Sequence, residues 1–97
     1  LRVGKIVSVE EHPNALKLFI LKVDFDLEIG ERTIVAGLRS HYKKEELEGR
    51  EALFVVNLEP AVLRGVKSDG MILAVNSSNG YVILIPEKDV NVGSKVS

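Results

Sequence analysis

The 97-residue chain has no cysteine, no tryptophan and no glutamine, and only 5% of its residues are aromatic. Without cysteine there is no disulfide framework and no thiolate metal site. That fits a reducing cytoplasm, which is the expected location. No apolar run nears the ~18 residues a membrane helix needs, and no signal-peptide pattern opens the chain, so no membrane partner is expected. A chemistry-bearing cluster is also missing. No serine or cysteine neighbours a plausible base, no glycine-rich phosphate loop of known spacing occurs, and the two histidines, His12 and His41, lie far apart in sequence. No enzyme activity, metal or cofactor is therefore expected, and both histidines read as turn or surface residues.

What is present is ordinary globular material. The apolar fraction is 45% and charged residues make up 28%. The length suits one domain, taken as residues 1–97. Net charge is −1, which counts against a strong general nucleic-acid binder but leaves room for a local basic face. The chain does not start with methionine, so a module of a longer protein is expected.

Periodicity predicts a β-rich domain. "RVGKIVSVEEHPNA" alternates at Val3, Lys5, Val7 and Val9, with Ile6 on the other face, and reads as a strand to about Glu10. "HPNA" turns the chain at Pro13 and Asn14. "KLFILKVDF" puts Phe19, Leu21, Val23 and Phe25 on one face, and "RTIVAG" is a short third strand. "SHYKKEELEG" loses the period of two and predicts a short helix, about Tyr42 to Leu47, with Ser40 as cap and Gly49 closing it. "EALFVVN" and "MILAV" are further strands, and "YVILIP" pairs with the latter as a hairpin arm before a turn-rich tail. Three strands, a short helix, then two more strands is the order of a five-stranded OB-fold barrel, with a small β-sandwich as the alternative.

OB-folds bind oligonucleotides on strands two and three, between the loop joining strands one and two and that joining strands four and five. Here the first loop is "EHPNAL". The second is residues 57–70, "NLEPAVLRGVKSDG", far longer than a hairpin requires. Asn57 can read a base edge or tie down the loop backbone. Arg64 can fork onto phosphate or stack on a base, or stand solvated on the surface. Lys67 supplies charge within reach of phosphate. Ser68 can bond a phosphate or cap the tight turn it forms with Asp69 and Gly70. Met71 can fill the core or lie against a base. Gly65 and Gly70 give the backbone freedom for these side chains to converge. The run from Lys43 to Glu46 reads as an exposed helix face.

"RVGKIVSVEEHPNA", "RTIVAGL", "NLEPAVLRGVKSDGMILA" and "PEKDVNVGSKV" together resemble the tRNA-binding domain family over nearly the whole chain. Such domains occur as C-terminal appendages of methionyl-tRNA synthetases, as free-standing tRNA-binding proteins, in the synthetase-associated cytokine precursor and in the phenylalanyl-tRNA synthetase β chain. A related chaperone-like family shares the fold. The resemblance implies an OB-fold that binds structured tRNA without chemistry of its own, here most simply as the C-terminal part of a methionyl-tRNA synthetase. It implies RNA contacts at Asn57, Arg64, Ser68, Met71 and Arg32, and a homodimer or a linked catalytic domain as further partners. The alternatives are a chaperone-like dimer that binds peptide and a purely structural dimerisation domain. Two departures stand out: Leu16 occupies a position that is usually acidic, and "DFDLEIGER" lacks the glycine often found after "VD". The first weakens His12 and Asn14 as contacts.

Overall fold

The computed structural model describes residues 1–97. Its strands are β1 (Arg2–Glu11), β2 (Phe19–Asp24), β3 (Glu31–Ala36), β4 (Glu51–Val55), β5 (Ala61–Leu63), β6 (Val66–Ser68), β7 (Met71–Ile72), β8 (Ala74–Ser77) and β9 (Gly80–Ile83), with one helix, α1 (Lys44–Leu47), between β3 and β4. Five strands form one antiparallel sheet in the order β3-β2-β1-β4-β7, and β5-β6 and β8-β9 are separate two-stranded ribbons. The sheet curls into a half-barrel around a single core. The mostly β architecture and the helix after the third strand agree with the sequence expectation, and the sandwich alternative does not hold. No helix is long and apolar enough to cross a membrane.

β2 behaves as its period of two requires: Phe19, Leu21 and Val23 are buried, and the residues between them are half-buried. β1 departs from simple alternation. Ile6 and Val9 face the core, whereas Val7 is 53% exposed. The cause is a register shift, because Ile6 pairs with Val23 and Ser8 with Lys22, leaving Val7 without a partner. Such a bulge switches the inward phase and sharpens the bend of the strand. It lets one long strand serve β2 with its second half and β4 with its first, since Arg2 to Lys5 pair with Phe54 to Glu51. Gly4 sits in that first half, where a Cβ would run into the side chains of Val23 and Phe25.

The core is filled by Phe25 and Phe54, packed edge to face at 5.3 Å, together with Ile6, Leu21, Ile34 and Leu47. Leu47 is the buried residue of α1. The helix is shorter than expected and starts elsewhere. Its cap is Lys43, whose N–H donates to Glu46 Oε1 at 2.7 Å, so Ser40 plays no capping part. Gly49 does close this segment at φ +84, with its N–H donating to Ile6 O at 2.8 Å. One turn of helix is thereby stitched to β1.

Two other boundaries differ. β4 ends at Val55 rather than Asn57, and the expected strand at "MILAV" breaks at Leu73, whose N–H donates to Leu53 O at 2.9 Å. The residues after the break leave the barrel as the β8-β9 ribbon. The tail folds back on β1: Gly93 N–H donates to Val3 O, Val3 N–H to Ser94 O, and Arg2 Nη1 to Gly93 O at 3.0 Å.

These placements separate two apolar residues of similar size. Leu47→Ala should cost about 2–5 kcal/mol, because it opens a cavity in the core. Val7→Thr should change stability by less than about 0.5 kcal/mol, because Val7 projects from the bulge into solvent. Thermal unfolding followed by circular dichroism checks both, and a large loss for Val7→Thr would contradict the bulge.

Candidate nucleic-acid interface

The long connection between β4 and β7 is not slack. Its middle folds into the β5-β6 hairpin, where Ala61, Val62 and Leu63 pair with Ser68, Lys67 and Val66. The turn is the two residues Arg64 and Gly65, with φ +53 and +87. Two positive φ values in a two-residue loop match the twist of antiparallel strands. Glycine takes this conformation freely, whereas an L side chain there costs roughly 1–2 kcal/mol. Arg64 therefore stands exposed at a hairpin tip in a conformation that asparagine or glycine would adopt more easily.

The hairpin docks on β3 through Ser68. The Ser68 Oγ accepts a hydrogen bond from Val35 N–H at 2.9 Å and donates one to Gly70 O at 3.1 Å. Asp69 N–H donates to Thr33 O at 2.8 Å. Ser68 is only 4% exposed and its proton is committed. It sits where the sequence put the second loop, but buried in the seam of the barrel rather than on its surface. Gly70 is required beside it: φ is +136, and a Cβ would lie 3.0 Å from Val55 O and 3.1 Å from Ile34 Cδ1.

Arg32 gathers the two ends of the connection. Its Nη1 donates to Val56 O at 2.6 Å and stands 3.6 Å from Asp69 Oδ1. Part of its guanidinium is thus spent on the loop. Asn57, Arg64 and Lys67 differ, being exposed with no intramolecular hydrogen bond or ion pair on their side chains. Met71 is 49% exposed and pairs with Val55 at the end of the sheet, so it is not core filler. It lines an open groove of about 530 Å³ together with Leu38, Leu58, Leu63, Ala74 and Tyr81.

The first loop is held just as firmly, by His12, which the sequence read as a turn or surface residue, and by Arg39, which it did not single out. His12 is 2% exposed, not a surface residue. Asn14 N–H donates to its Nδ1 at 3.0 Å, and its Nε2 lies 3.0 Å from Leu63 O. An amide only donates and a carbonyl only accepts, so the ring proton is on Nε2 and both nitrogens are used. His12 thereby ties the first loop to the hairpin, one residue before Arg64. Arg39 braces the same loop from behind, with Nη1 donating to His12 O and Ala15 O and Nη2 3.2 Å from Glu11 Oε2. No sequence pattern announces either role, because both depend on partners more than twenty residues away. His41 is elsewhere, edge-on to Tyr81 with ring centres 5.7 Å apart.

The candidate interface therefore has two walls, the loop of residues 12–18 and the hairpin tip, joined by one buried histidine. Free guanidinium and ammonium donors stand on the hairpin, a free amide stands at Asn57 at the start of the same connection, and an apolar groove opens beside Met71.

Comparison with known proteins gives a consistent picture. The sequence profile described as "Putative tRNA binding domain" matches residues 1–95. The chain is 52% identical over 96 residues to methionine–tRNA ligase of Pyrococcus horikoshii and 53% identical to that of Pyrococcus furiosus, covering 99% of this chain in each case. It spans only 13% of the length of either enzyme. Among solved structures it is similar to a methionyl-tRNA synthetase related protein from Pyrococcus horikoshii, with TM-score 0.89 and 37% identity over 99% of this chain and 87% of that one. It is also similar to the CsaA chaperone protein of Picrophilus torridus, with TM-score 0.92 and 30% identity over 99% of this chain and 89% of that one. A profile match over nearly the whole chain, and relatives about half identical to it, place the chain in the family of putative tRNA-binding domains.

Proposed function

We propose that residues 1–97 act as a single non-catalytic module that binds tRNA, carried by a methionyl-tRNA synthetase as an appendage to its catalytic domain. The observation that carries this reading is Arg64. An arginine is kept at a tip position that costs backbone energy, and its side chain is left free of internal partners. Residues held against their conformational preference are concentrated where they function. Asn57 and Lys67, on the same connection, are free as well, and Met71 offers an exposed apolar surface for a base. Ser68 and Arg32 contribute by fixing the connection. Ser68 acts as a positioning residue, and Arg32 keeps spare guanidinium donors toward solvent.

Physical reasoning supports the appended role. Phosphate contacts supply most non-specific affinity and weaken steeply with salt. A module of net charge −1 has few of them to offer. Tethering turns its contact into an intramolecular one, so a weak module still raises the overall affinity. Self-association does the same by doubling the surface. The β8-β9 ribbon provides a candidate contact, since the cross-strand pair Val75 and Val82 is half-exposed, as are nearby Leu84 and Ile85. We assign the homodimer contact to this ribbon.

A second reading, a chaperone-like peptide binder, rests on the groove beside Met71. Eleven of its fifteen lining residues are hydrophobic, which suits an extended apolar peptide. The free cations near the groove favour RNA instead.

Filter binding of tRNA across a salt series decides between them. The wild-type chain should bind with an affinity that falls as salt rises. Arg64→Ala should lower it about tenfold and make the salt slope shallower by about one phosphate contact. Met71→Ala should weaken binding and leave the slope unchanged. No salt-dependent binding, or an Arg64→Ala chain that binds like wild type, overturns the RNA reading. Sedimentation velocity tests the ribbon separately: the wild-type chain should dimerise with rising concentration, Val82→Asp should stay monomeric, and a wild-type chain that is monomeric throughout contradicts the dimer.

A further inference from the structure

A second hollow, about 590 Å³, lies between the two walls and is lined by Asn14, Ala15, Leu16, Lys17, Leu18 and Arg64. Lys17 and Arg64 come from segments far apart in sequence. No carboxylate lines the hollow, although the chain carries 14 acidic residues against 13 basic ones. A recess walled by one sign of charge concentrates the field and raises the local concentration of the opposite charge.

Both walls are rigid. On one side Lys17 O accepts Arg39 N–H at 3.3 Å, and His12 N–H donates to Leu18 O at 3.1 Å, closing the loop on itself. On the other, Arg64 is fixed at the turn of the β5-β6 ladder. His12 Nε2 joins the walls through Leu63 O. Lys17 and Arg64 both line the hollow, so an anion seated there would meet a cation from each wall. The backbone positions are set before any ligand arrives, so binding has to order only the two side chains and not the loops that carry them. Lysine offers a compact point charge and arginine a planar fork, and both suit phosphate oxygens. Leu16, 86% exposed on the rim, adds an apolar surface on which a sugar or base can rest.

We infer that this hollow seats one backbone phosphodiester of the bound RNA between Lys17 and Arg64. The inference rests on the RNA-binding reading above and adds Lys17 and Leu16 as contacts on the first wall. The contact is to phosphate, so it sets register and affinity without reading sequence.

The test is filter binding of tRNA to the chain over a salt series, with four variants at exposed positions: Lys17→Ala, Leu16→Glu, Lys17→Ala combined with Arg64→Ala, and Lys88→Ala as a charge control. Lys88 lies two residues before Val90, whose N–H donates to Glu51, the first residue of β4, which pairs with Lys5 in the half of β1 away from the first loop. Lys17→Ala should bind about tenfold more weakly. Its slope of log affinity against log salt should be shallower by about 0.7–0.9. Leu16→Glu places a carboxylate in the recess and should lose at least as much. The double variant should lose less than the product of its single losses, because both side chains serve one phosphate. Lys88→Ala should bind like wild type, and all four should melt with the wild type. If Arg64→Ala is weakened but Lys17→Ala and Leu16→Glu bind normally, the hollow is not a phosphate seat while the RNA reading stands. If Lys88→Ala loses as much as Lys17→Ala, only net charge is at work and the seat is refuted. If the wild-type chain does not bind tRNA at all, the RNA reading fails and the seat with it.

Discussion

An open sheet edge leaves a row of backbone donors and acceptors without partners. In the curled sheet, β3 is such an edge, and the hydroxyl of Ser68 meets it. Val35 N–H donates to Ser68 Oγ, Asp69 N–H donates to Thr33 O, and the Ser68 proton turns inward to Gly70 O. One buried side chain thus substitutes for a stretch of ladder. It covers the open edge of the half-barrel, and it fixes where the 57–70 connection must lie. An alanine in its place would leave Val35 N–H unpaired in a buried site, an error costing about 1–3 kcal/mol.

From that seam the rest of the interface follows by a chain of anchors. The docked hairpin holds Leu63, Leu63 O receives the ring of His12, and His12 receives Asn14. Arg32 draws Val56 and Asp69 together, and Arg39 supports the first loop. The anchoring side chains of His12, Arg32, Arg39 and Ser68 are buried or half-buried, whereas Asn57, Lys17, Arg64, Lys67 and Met71 are exposed. Rigid backbone under free side chains is what a weak binder needs, because each ordered loop spares part of the cost of association. The same scaffold exposes an apolar groove beside Met71.

Much of the fold was legible in the sequence because it rests on local patterns. The alternation of Phe19, Leu21 and Val23, the loss of period at Tyr42 to Leu47, and glycines at turns are properties of the chain alone. The bulge at Val7 was not legible, since a bulge is defined by the register of a partner strand. The β5-β6 hairpin escaped notice for a related reason. Its strands are three residues long, and its turn is Arg-Gly rather than the asparagine- or aspartate-glycine pair that signals such turns. The site divided in the same way. Exposed Asn57, Arg64, Lys67 and Met71 could be picked out by residue type and by resemblance to the family. The burial of His12 and Ser68, and the brace at Arg39, are decided by contacts across the fold, which residue type does not reveal.

The central claim is that RNA meets the two walls joined by His12, and not the outer face of the β8-β9 ribbon at Val75 and Val82. Backbone amide NMR of the chain during titration with tRNA measures this directly. The account predicts that signals of Asn14, Lys17, Asn57, Arg64, Lys67 and Met71 shift or broaden together, with those of Val75 and Val82 unmoved. Perturbation confined to Ala74–Ile83, with the first loop and hairpin tip silent, would contradict it.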